Sequence, residues 1–126
     1  MGVELLQNFL VDETELELAV LIGSRANGTA QPDSDWDIAI QWVRTPDLLG
    51  LLGKTEALRR KLAALLGVTE ERIDLIDLPT ARLAIRAVTA EQGILLKGAG
   101  SLAWHRFLQR TWRELEEYHR ESTDAA

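Results

Sequence analysis

Apolar and polar residues follow one another along this chain in blocks that predict alternating helices and strands. Residues 3–11 carry apolar side chains at helical spacing, which predicts a short amphipathic helix. Residues 16–22 are almost continuously apolar, as in a buried central strand, and residues 35–42 begin with alternating acids and then become apolar. The segment between these two predicted strands is rich in turn residues and shows no helical pattern.

The second half of the chain predicts two more strands and three helices. Thr45 and Pro46 indicate a helix start, because threonine is a good N-cap and proline fits the first helical position. Gly50 and Gly53 weaken the first turns, so the regular helix is expected to begin nearer Lys54. Beyond it the pattern predicts a strand at 72–78, a helix at 80–91, an edge strand at 93–98 and a helix at 101–120, with residues 122–126 frayed.

The connection between the first two strands predicts their relative direction. A parallel pair generally needs a crossover that contains a helix, and this connection contains none. The two strands are therefore expected to be antiparallel, which predicts a mixed β-sheet flanked by helices, an α+β fold. Residues 1–126 are expected to form a single domain, because a chain of 126 residues can bury one sizeable core.

Composition and charge exclude several classes of function. Cysteine is absent, which excludes disulfides, thiolate metal sites and cysteine nucleophiles. No apolar run approaches the length of a membrane span and no basic leader follows Met1, so we expect a cytoplasmic protein with no membrane partner. The net charge of −6 disfavours direct binding of nucleic acid.

The segment between the first two strands carries the candidate chemistry. Gly23 and Ser24 are followed by ten residues and then by Asp35 and Asp37. A Gly-Ser turn offers backbone N–H groups and a hydroxyl to a phosphate. Two aspartates at i and i+2 of a strand project onto the same face, and converging carboxylates are the usual ligands of Mg²⁺ beside nucleotide phosphates. The pattern therefore predicts a metal-dependent nucleotide site.

A third acid is expected to come from another strand. Asp74 lies in the middle of an apolar strand pattern, where a carboxylate is unfavourable unless it coordinates metal or finds a partner. Asp77 is the alternative, but its odd spacing from Asp74 places it on the opposite strand face, near the strand end, where a capping role is easily accommodated. Asp74 is the favoured candidate.

These residues suit an in-line displacement at the α-phosphorus of a nucleoside triphosphate. Asp35 and Asp37 would bind two Mg²⁺ ions, and Asp74 would complete the site of the ion on the nucleophile side and could accept the proton. Gly23 and Ser24 would hold the β- and γ-phosphates. The next residue along, an arginine at position 25, either neutralises phosphate charge or is an ordinary solvated loop residue.

The stretch GSRANGTAQPDSDWDIAI resembles the GS-x10-D-x-D signature of nucleotidyltransferases of the DNA polymerase β-like superfamily. The whole chain is similar to the minimal nucleotidyltransferases, in particular to the MntA antitoxins that pair with HEPN-domain toxins. The resemblance implies a polymerase-β-like nucleotidyltransferase fold. Two departures are visible: Asn27 stands where many relatives carry arginine, and Trp36 where a smaller aliphatic residue is common.

By this resemblance the protein is expected to use ATP and Mg²⁺ to transfer AMP to a tyrosine of a HEPN ribonuclease toxin and so to silence it. Asp35, Asp37 and Asp74 would be the metal carboxylates and Gly23 and Ser24 the phosphate-binding pair. Two alternatives remain. AMP could be transferred to a small hydroxylated molecule, or the protein could neutralise its toxin by binding alone.

Overall fold

The computed structural model describes residues 2–124 and consists of a β-sheet with helices on both faces. The strands are β1 (Leu16–Ile22), β2 (Trp36–Trp42), β3 (Ile73–Asp77) and β4 (Ile94–Lys97). The helices are α1 (Gly2–Leu10), α2 (Ser24–Asn27), α3 (Leu48–Leu66), α4 (Leu83–Gln92) and α5 (Leu102–Asp124), with 3-10 turns at Glu70–Arg72 and Leu78–Thr80.

The end of α5 differs from the sequence prediction. Residues 122–124, which the sequence predicts to fray, continue the helix. Residues 125 and 126 of the same predicted tail lie outside the described residues.

The four strands form one mixed sheet in the order β3-β2-β1-β4. Strand β1 is antiparallel to both of its neighbours, β2 and β4, whereas β2 and β3 are parallel. The predicted antiparallel pairing of the first two strands, the edge position of β4 and the α+β class are thus confirmed. The expectation that the connection between β1 and β2 contains no helix is wrong, because the one-turn helix α2 lies there, but a single turn is too short to serve as a parallel crossover. The parallel pair has the crossover it requires, because α3 lies between β2 and β3 in the chain.

Each face of the sheet is covered by a separate apolar layer. On one face, Leu6 and Leu10 of α1 and Leu58 and Leu62 of α3 pack against strand side chains that include Leu21. On the other face, Phe107 of α5 and neighbouring apolar residues pack against the alternate side chains of β1 and β2. Because both faces are covered, β1 is apolar at almost every position instead of alternating.

Helix α3 begins earlier than the sequence predicts. It starts at Leu48, and the N-cap is Asp47, whose carboxylate accepts a hydrogen bond of 2.9 Å from the backbone N–H of Gly50. A side chain at Gly50 would collide with that carboxylate, so the glycine leaves room for the cap. The predicted cap at Thr45 and the predicted start near Lys54 are therefore wrong.

A partly buried ion pair joins α4 to α5. Arg86, only 4% exposed, donates two hydrogen bonds of 3.0 and 2.9 Å to the two carboxylate oxygens of Glu114 and a third to the carbonyl of Ala81. Hydrogen bonding to Arg86 lowers the pKa of Glu114. This bidentate geometry is the strong form of an Arg–carboxylate pair.

We predict that Glu114→Gln lowers the free energy of unfolding by about 2 kcal/mol, because the buried guanidinium of Arg86 loses its charged acceptor. Chemical denaturation at neutral pH measures this loss. Because the folded-state pKa of Glu114 is lowered, the full difference in the free energy of unfolding should be present above the unfolded pKa of about 4.5. The difference should shrink as the pH falls below that value. Glu117→Gln, on an exposed position of the same helix, should change stability by less than about 0.5 kcal/mol. Equal losses in both variants would contradict this account.

Candidate functional site

The predicted Gly-Ser turn is a sharp bend at the end of β1. Gly23 has a positive φ of 74° and precedes the one-turn helix α2, which begins at Ser24. Ile22, the last residue of β1, lies opposite Asp37 in the antiparallel pair, so the bend begins beside this carboxylate. A side chain at Gly23 would collide with Oδ2 of Asp37. Glycine is therefore required here both by the backbone conformation and by the approach of the acid.

Strand register brings Asp74 to Asp37. The two residues are directly paired in the parallel β2–β3 ladder, and the neighbouring charge of Asp74 raises the pKa of Asp37. Asp77 is paired with Ile40 farther along the same ladder, and its Oδ2 accepts a hydrogen bond of 2.8 Å from Thr80. Of the two candidates for the third carboxylate, the structure therefore places Asp74 beside Asp37 and gives Asp77 a local cap.

The cluster is electrostatically unfavourable without a cation. The pKa of Asp37 is raised, first by burial of its carboxyl and then by the charges of Asp74 and Asp35. Asp35 comes directly before β2, and its Oδ1 lies 3.7 Å from Nη1 of Arg72, with both side chains about half exposed. A site that concentrates negative charge around a partly buried carboxyl suits a cation ligand.

One premise of the sequence analysis is wrong. Asp74 was expected to be buried in mid-strand, but it is exposed, because β3 is an edge strand of the sheet. Asp37, on the inner strand β2, is the partly buried acid instead. Asp37 is therefore the acid whose partial burial favours a bound cation, and Asp74 raises its pKa as a neighbouring charge.

The acids fit Mg²⁺ in the chemistry of their donors but are not gathered around one point. Within residues 2–124, no three His, Asp or Glu side chains are arranged as a set that could hold a metal ion. Asp37 and Asp74 are register partners on adjacent strands, whereas Asp35 lies near Arg72. Carboxylate oxygens are the ligands that Mg²⁺ prefers, and the absence of a side chain at Gly23 leaves room for Oδ2 of Asp37 itself.

The arginine and asparagine of the bend make contacts within the loop. Arg25 donates hydrogen bonds to the backbone carbonyls of Ser34 and Pro32, at 2.9 and 3.3 Å. Oδ1 of Asn27 accepts hydrogen bonds from the backbone N–H and the hydroxyl of Thr29, at 3.1 and 2.6 Å. Asn27, one of the two departures from the family pattern, thus closes the turn that follows α2. The predicted nucleotide contact of Arg25 stays a prediction.

Sequence reasoning missed a groove at the opposite end of the sheet. A cavity of about 690 Å³ lies between the start of α3 and the first turns of α5, and its lining includes Arg44, Arg106, Arg110 and Asp77. It includes neither the Gly-Ser bend nor Asp37. Its residues come from four distant segments, so no local motif could have indicated it.

A mixed sheet that brings carboxylates from two strands against a Gly-Ser bend is the framework of a phosphate-handling domain. Comparison with known families makes the assignment. The "Polymerase beta, Nucleotidyltransferase" family profile matches residues 4–99, more than half of the chain. The chain belongs to this nucleotidyltransferase family. No protein of curated function is significantly similar to it in sequence.

Solved structures extend the comparison over nearly the whole chain. A toxin–antitoxin crystal structure with AMP-PNP contains a chain that is 26% identical, with 99% of this chain and 95% of that chain covered and a TM-score of 0.72. An MntA toxin–antitoxin variant with two Asp-to-Glu substitutions gives the same coverage and TM-score at 25% identity. A complex of a tri-AMPylated HEPN toxin from Shewanella oneidensis with its MNT antitoxin shares the fold, at 23% identity, coverage of 98% and 94%, and a TM-score of 0.65.

No helix in the described part of the chain is both long and apolar enough to cross a membrane.

We predict that Gly23→Ala disturbs the site whereas Gly28→Ala does not. Both glycines have positive φ, so each substitution should lower stability by about 1 kcal/mol, but only a side chain at position 23 meets the Asp37 carboxylate. The NMR carboxyl and amide signals of Asp37 and Asp74 should shift in the first variant and stay in place in the second. Unchanged signals in Gly23→Ala would show that the bend does not approach Asp37.

We predict that Asp37→Asn raises the thermal unfolding temperature of the free protein by a few degrees at pH 7. Because the folded-state pKa of Asp37 is raised, ionising this carboxyl weakens the fold as the pH rises above the unfolded value of 3.8. The gain should therefore vanish below that value, where the acid is protonated in both states. Calorimetry at pH 7 and pH 3.5 measures it, and a variant less stable than the parent at pH 7 would contradict the prediction.

Proposed function

We propose that this protein is an antitoxin that transfers AMP from ATP to a tyrosine hydroxyl of a HEPN ribonuclease toxin and thereby neutralises it. The single observation that carries the proposal is the in-register pairing of Asp37 with Asp74 beside the Gly23 bend. This arrangement brings carboxylates to backbone amides that suit a phosphate. ATP and ribonuclease substrates occur in the cytoplasm, so we place the reaction there.

The residues of the site divide the work of the transfer. The first amides of a helix have no partner within it, so those of the bend at Gly23 and Ser24 would hold the β- and γ-phosphates. Asp35 and Asp37 would hold two Mg²⁺ ions, with Asp35 exchanging Arg72 for metal. When bound, these ions supply charge neutralisation at the pyrophosphate and lower the pKa of the attacking hydroxyl.

In this transfer, the tyrosine oxygen forms a bond to the α-phosphorus while the bond between that phosphorus and the bridging oxygen to the β-phosphate breaks. Pyrophosphate leaves with the bond electrons. The proton of the tyrosine passes to Asp74, which is exposed at the sheet edge and is therefore open to a partner from solvent.

Known complexes support the identity of the acceptor and of the nucleotide. Two neighbours at 25% and 26% identity come from toxin–antitoxin structures, one of them with an ATP analogue. The complex that shares the fold at lower identity holds a tri-AMPylated HEPN toxin. The role of a HEPN toxin as partner and of ATP as substrate is proposed for this chain on those grounds, and Mg²⁺ is proposed as cofactor because the site offers carboxylate oxygens.

The decisive experiment is to incubate the protein with Mg²⁺, ATP labelled at the α-phosphate and the HEPN toxin encoded beside it. Label and an added mass of one or more AMP units should appear on the toxin. We predict that Asp35→Ala and Asp37→Ala abolish the labelling, and that Asp74→Asn slows it by about 10²–10⁴-fold. Asp77→Asn, a conservative change of the locally capped acid on the same strand, should stay within a few-fold of the parent.

Other outcomes of this labelling experiment would support a different site or a different function. Persistent labelling by both Asp35→Ala and Asp37→Ala would refute the metal site. Loss of labelling in Asp77→Asn, with labelling kept in Asp74→Asn, would make Asp77 the third carboxylate of the site. Label on a small hydroxylated molecule with an unmodified toxin would favour the second enzymatic function. Neutralisation of the toxin by the double alanine variant at normal dose would favour an antitoxin that acts by binding alone.

A further inference from the structure

Arg25 connects the two halves of the site motif. It follows Ser24 directly in the chain, yet its Nη2 donates hydrogen bonds to the backbone carbonyls of Ser34 and Pro32. These carbonyls belong to the segment that leads into Asp35. One side chain therefore ties the phosphate-side bend to the segment that delivers the carboxylates.

The guanidinium of Arg25 also lies on an aromatic ring. Its Cζ is 4.5 Å from the ring centroid of Trp36, and its Nε is buried without a hydrogen-bond acceptor among the described residues. A partly buried guanidinium over an indole face makes a favourable cation–π interaction. Trp36 stands between Asp35 and Asp37 in sequence, so this contact acts at the centre of the carboxylate motif.

Trp36 is itself fixed by the core. It packs, partly buried, against the apolar layer under α1 and α3. The start of α1 lies against the ring, since a side chain at Gly2 would come within 2.7 Å of Cη2 of Trp36. The core therefore holds the indole as a rigid platform, and the contact between Arg25 and the ring fixes the loop relative to this platform.

A second arginine completes the support of the segment. Arg72 donates a hydrogen bond to the carbonyl of Asp33, between the two carbonyls that Arg25 binds. Three successive carbonyls before Asp35 are thus held by arginines from two different elements, the bend after β1 and the turn before β3.

We propose that Arg25 is a positioning residue for nucleotidyl transfer, which clamps residues 32–36 so that Asp35 and Asp37 keep their place opposite Ser24. The proposal rests on the proposed function and differs from a direct phosphate contact. The two hydrogen bonds of Nη2 and the indole ring hold the guanidinium on the segment before Asp35, which favours a positioning role over a phosphate contact. Groups that orient metal ligands typically contribute 10- to 100-fold in activity or metal affinity.

The test compares Arg25→Ala, Trp36→Leu and their double variant, with Arg60→Ala, an exposed arginine of α3, as the matched control. Two measurements are made on each. The first is kcat and KM for ATP in AMP transfer to the toxin. The second is amide hydrogen exchange of residues 24–35 in the free protein, with residues 16–22 as the internal reference.

A clamp predicts that each single variant lowers kcat by about 10- to 100-fold while KM for ATP changes less than about threefold. The double variant should be no worse than either single one, because both remove the same contact. Exchange of residues 24–35 should speed up at least tenfold in all three, and residues 16–22 should keep their protection. Arg60→Ala should match the parent in every measurement.

A phosphate contact predicts a different pattern. KM for ATP would rise at least tenfold in Arg25→Ala, Arg25→Lys would restore it, and Trp36→Leu would leave both KM and exchange unchanged; that pattern would overturn the proposal. If Trp36→Leu also loosens residues 16–22, Trp36→Phe replaces it, since a benzene ring keeps the platform and should retain at least half of kcat. Loosened exchange in Trp36→Phe to the same extent as in Arg25→Ala would also overturn the proposal.

Failure of the proposed function is distinguishable from failure of the clamp. If the parent protein transfers no AMP, the proposed function fails, and the hydrogen-exchange comparison still decides whether Arg25 and Trp36 hold the loop. If the parent is active and exchange in residues 24–35 is unaffected by either substitution, only the clamp is refuted.

Discussion

The parallel, in-register pairing of β2 with β3 is the constraint on which the site depends. It puts Asp37 and Asp74 side by side, and the antiparallel pairing of β2 with β1 puts Ile22, and hence the following bend, on the other side of Asp37. A shift of one residue in either ladder would turn one of these carboxyls to the opposite face of the sheet. The apolar layers on both faces stabilise the register, because the same shift would expose core side chains.

The site combines an electrostatic penalty with a firm scaffold. Burial and neighbouring charges disfavour the ionised form of Asp37, as the raised pKa shows. The residues that follow it in β2, Ile38, Ala39 and Ile40, are buried at 0%, 0% and 2% exposure, so the strand cannot move to relieve the repulsion. An arrangement of this kind is relieved by a cation, which links the stability of the free protein to the proposed chemistry.

Several arginines of this acidic chain stabilise its own architecture. Arg86 joins α4 to α5, Arg59 of α3 donates to the carbonyl of Ile73 at the start of β3, and Arg25 and Arg72 hold the segment before β2. Three of these arginines, Arg59, Arg25 and Arg72, fix the strand and the loop that deliver the carboxylates. Around the proposed site, therefore, these arginines position backbone groups, and the proposed transfer relies on bound metal for the charge that balances a nucleotide.

The sequence by itself determined most of the strands and helices and the residues that make up the Gly-Ser and Asp-x-Asp motif. Apolar runs predicted all four strands within one or two residues, most clearly β1, which is covered on both faces and therefore apolar at almost every position. The shortness of the connection between β1 and β2, which holds only the one-turn helix α2, is enough to make these strands antiparallel. Gly23 was recognisable from its spacing to Asp35. These features depend on local composition and chain connectivity, which the sequence carries directly.

Tertiary structure alone decided the rest. Which acid of β3 meets Asp37 follows from register, and the exposure of Asp74 follows from the edge position of β3, which no local pattern encodes. Arg25 looked like either a phosphate ligand or a solvated loop residue, and only the fold brings its guanidinium onto Trp36 and the carbonyls before Asp35. The physical reason is common to these cases: each depends on contacts between chain segments whose distance in space is set by the whole sheet.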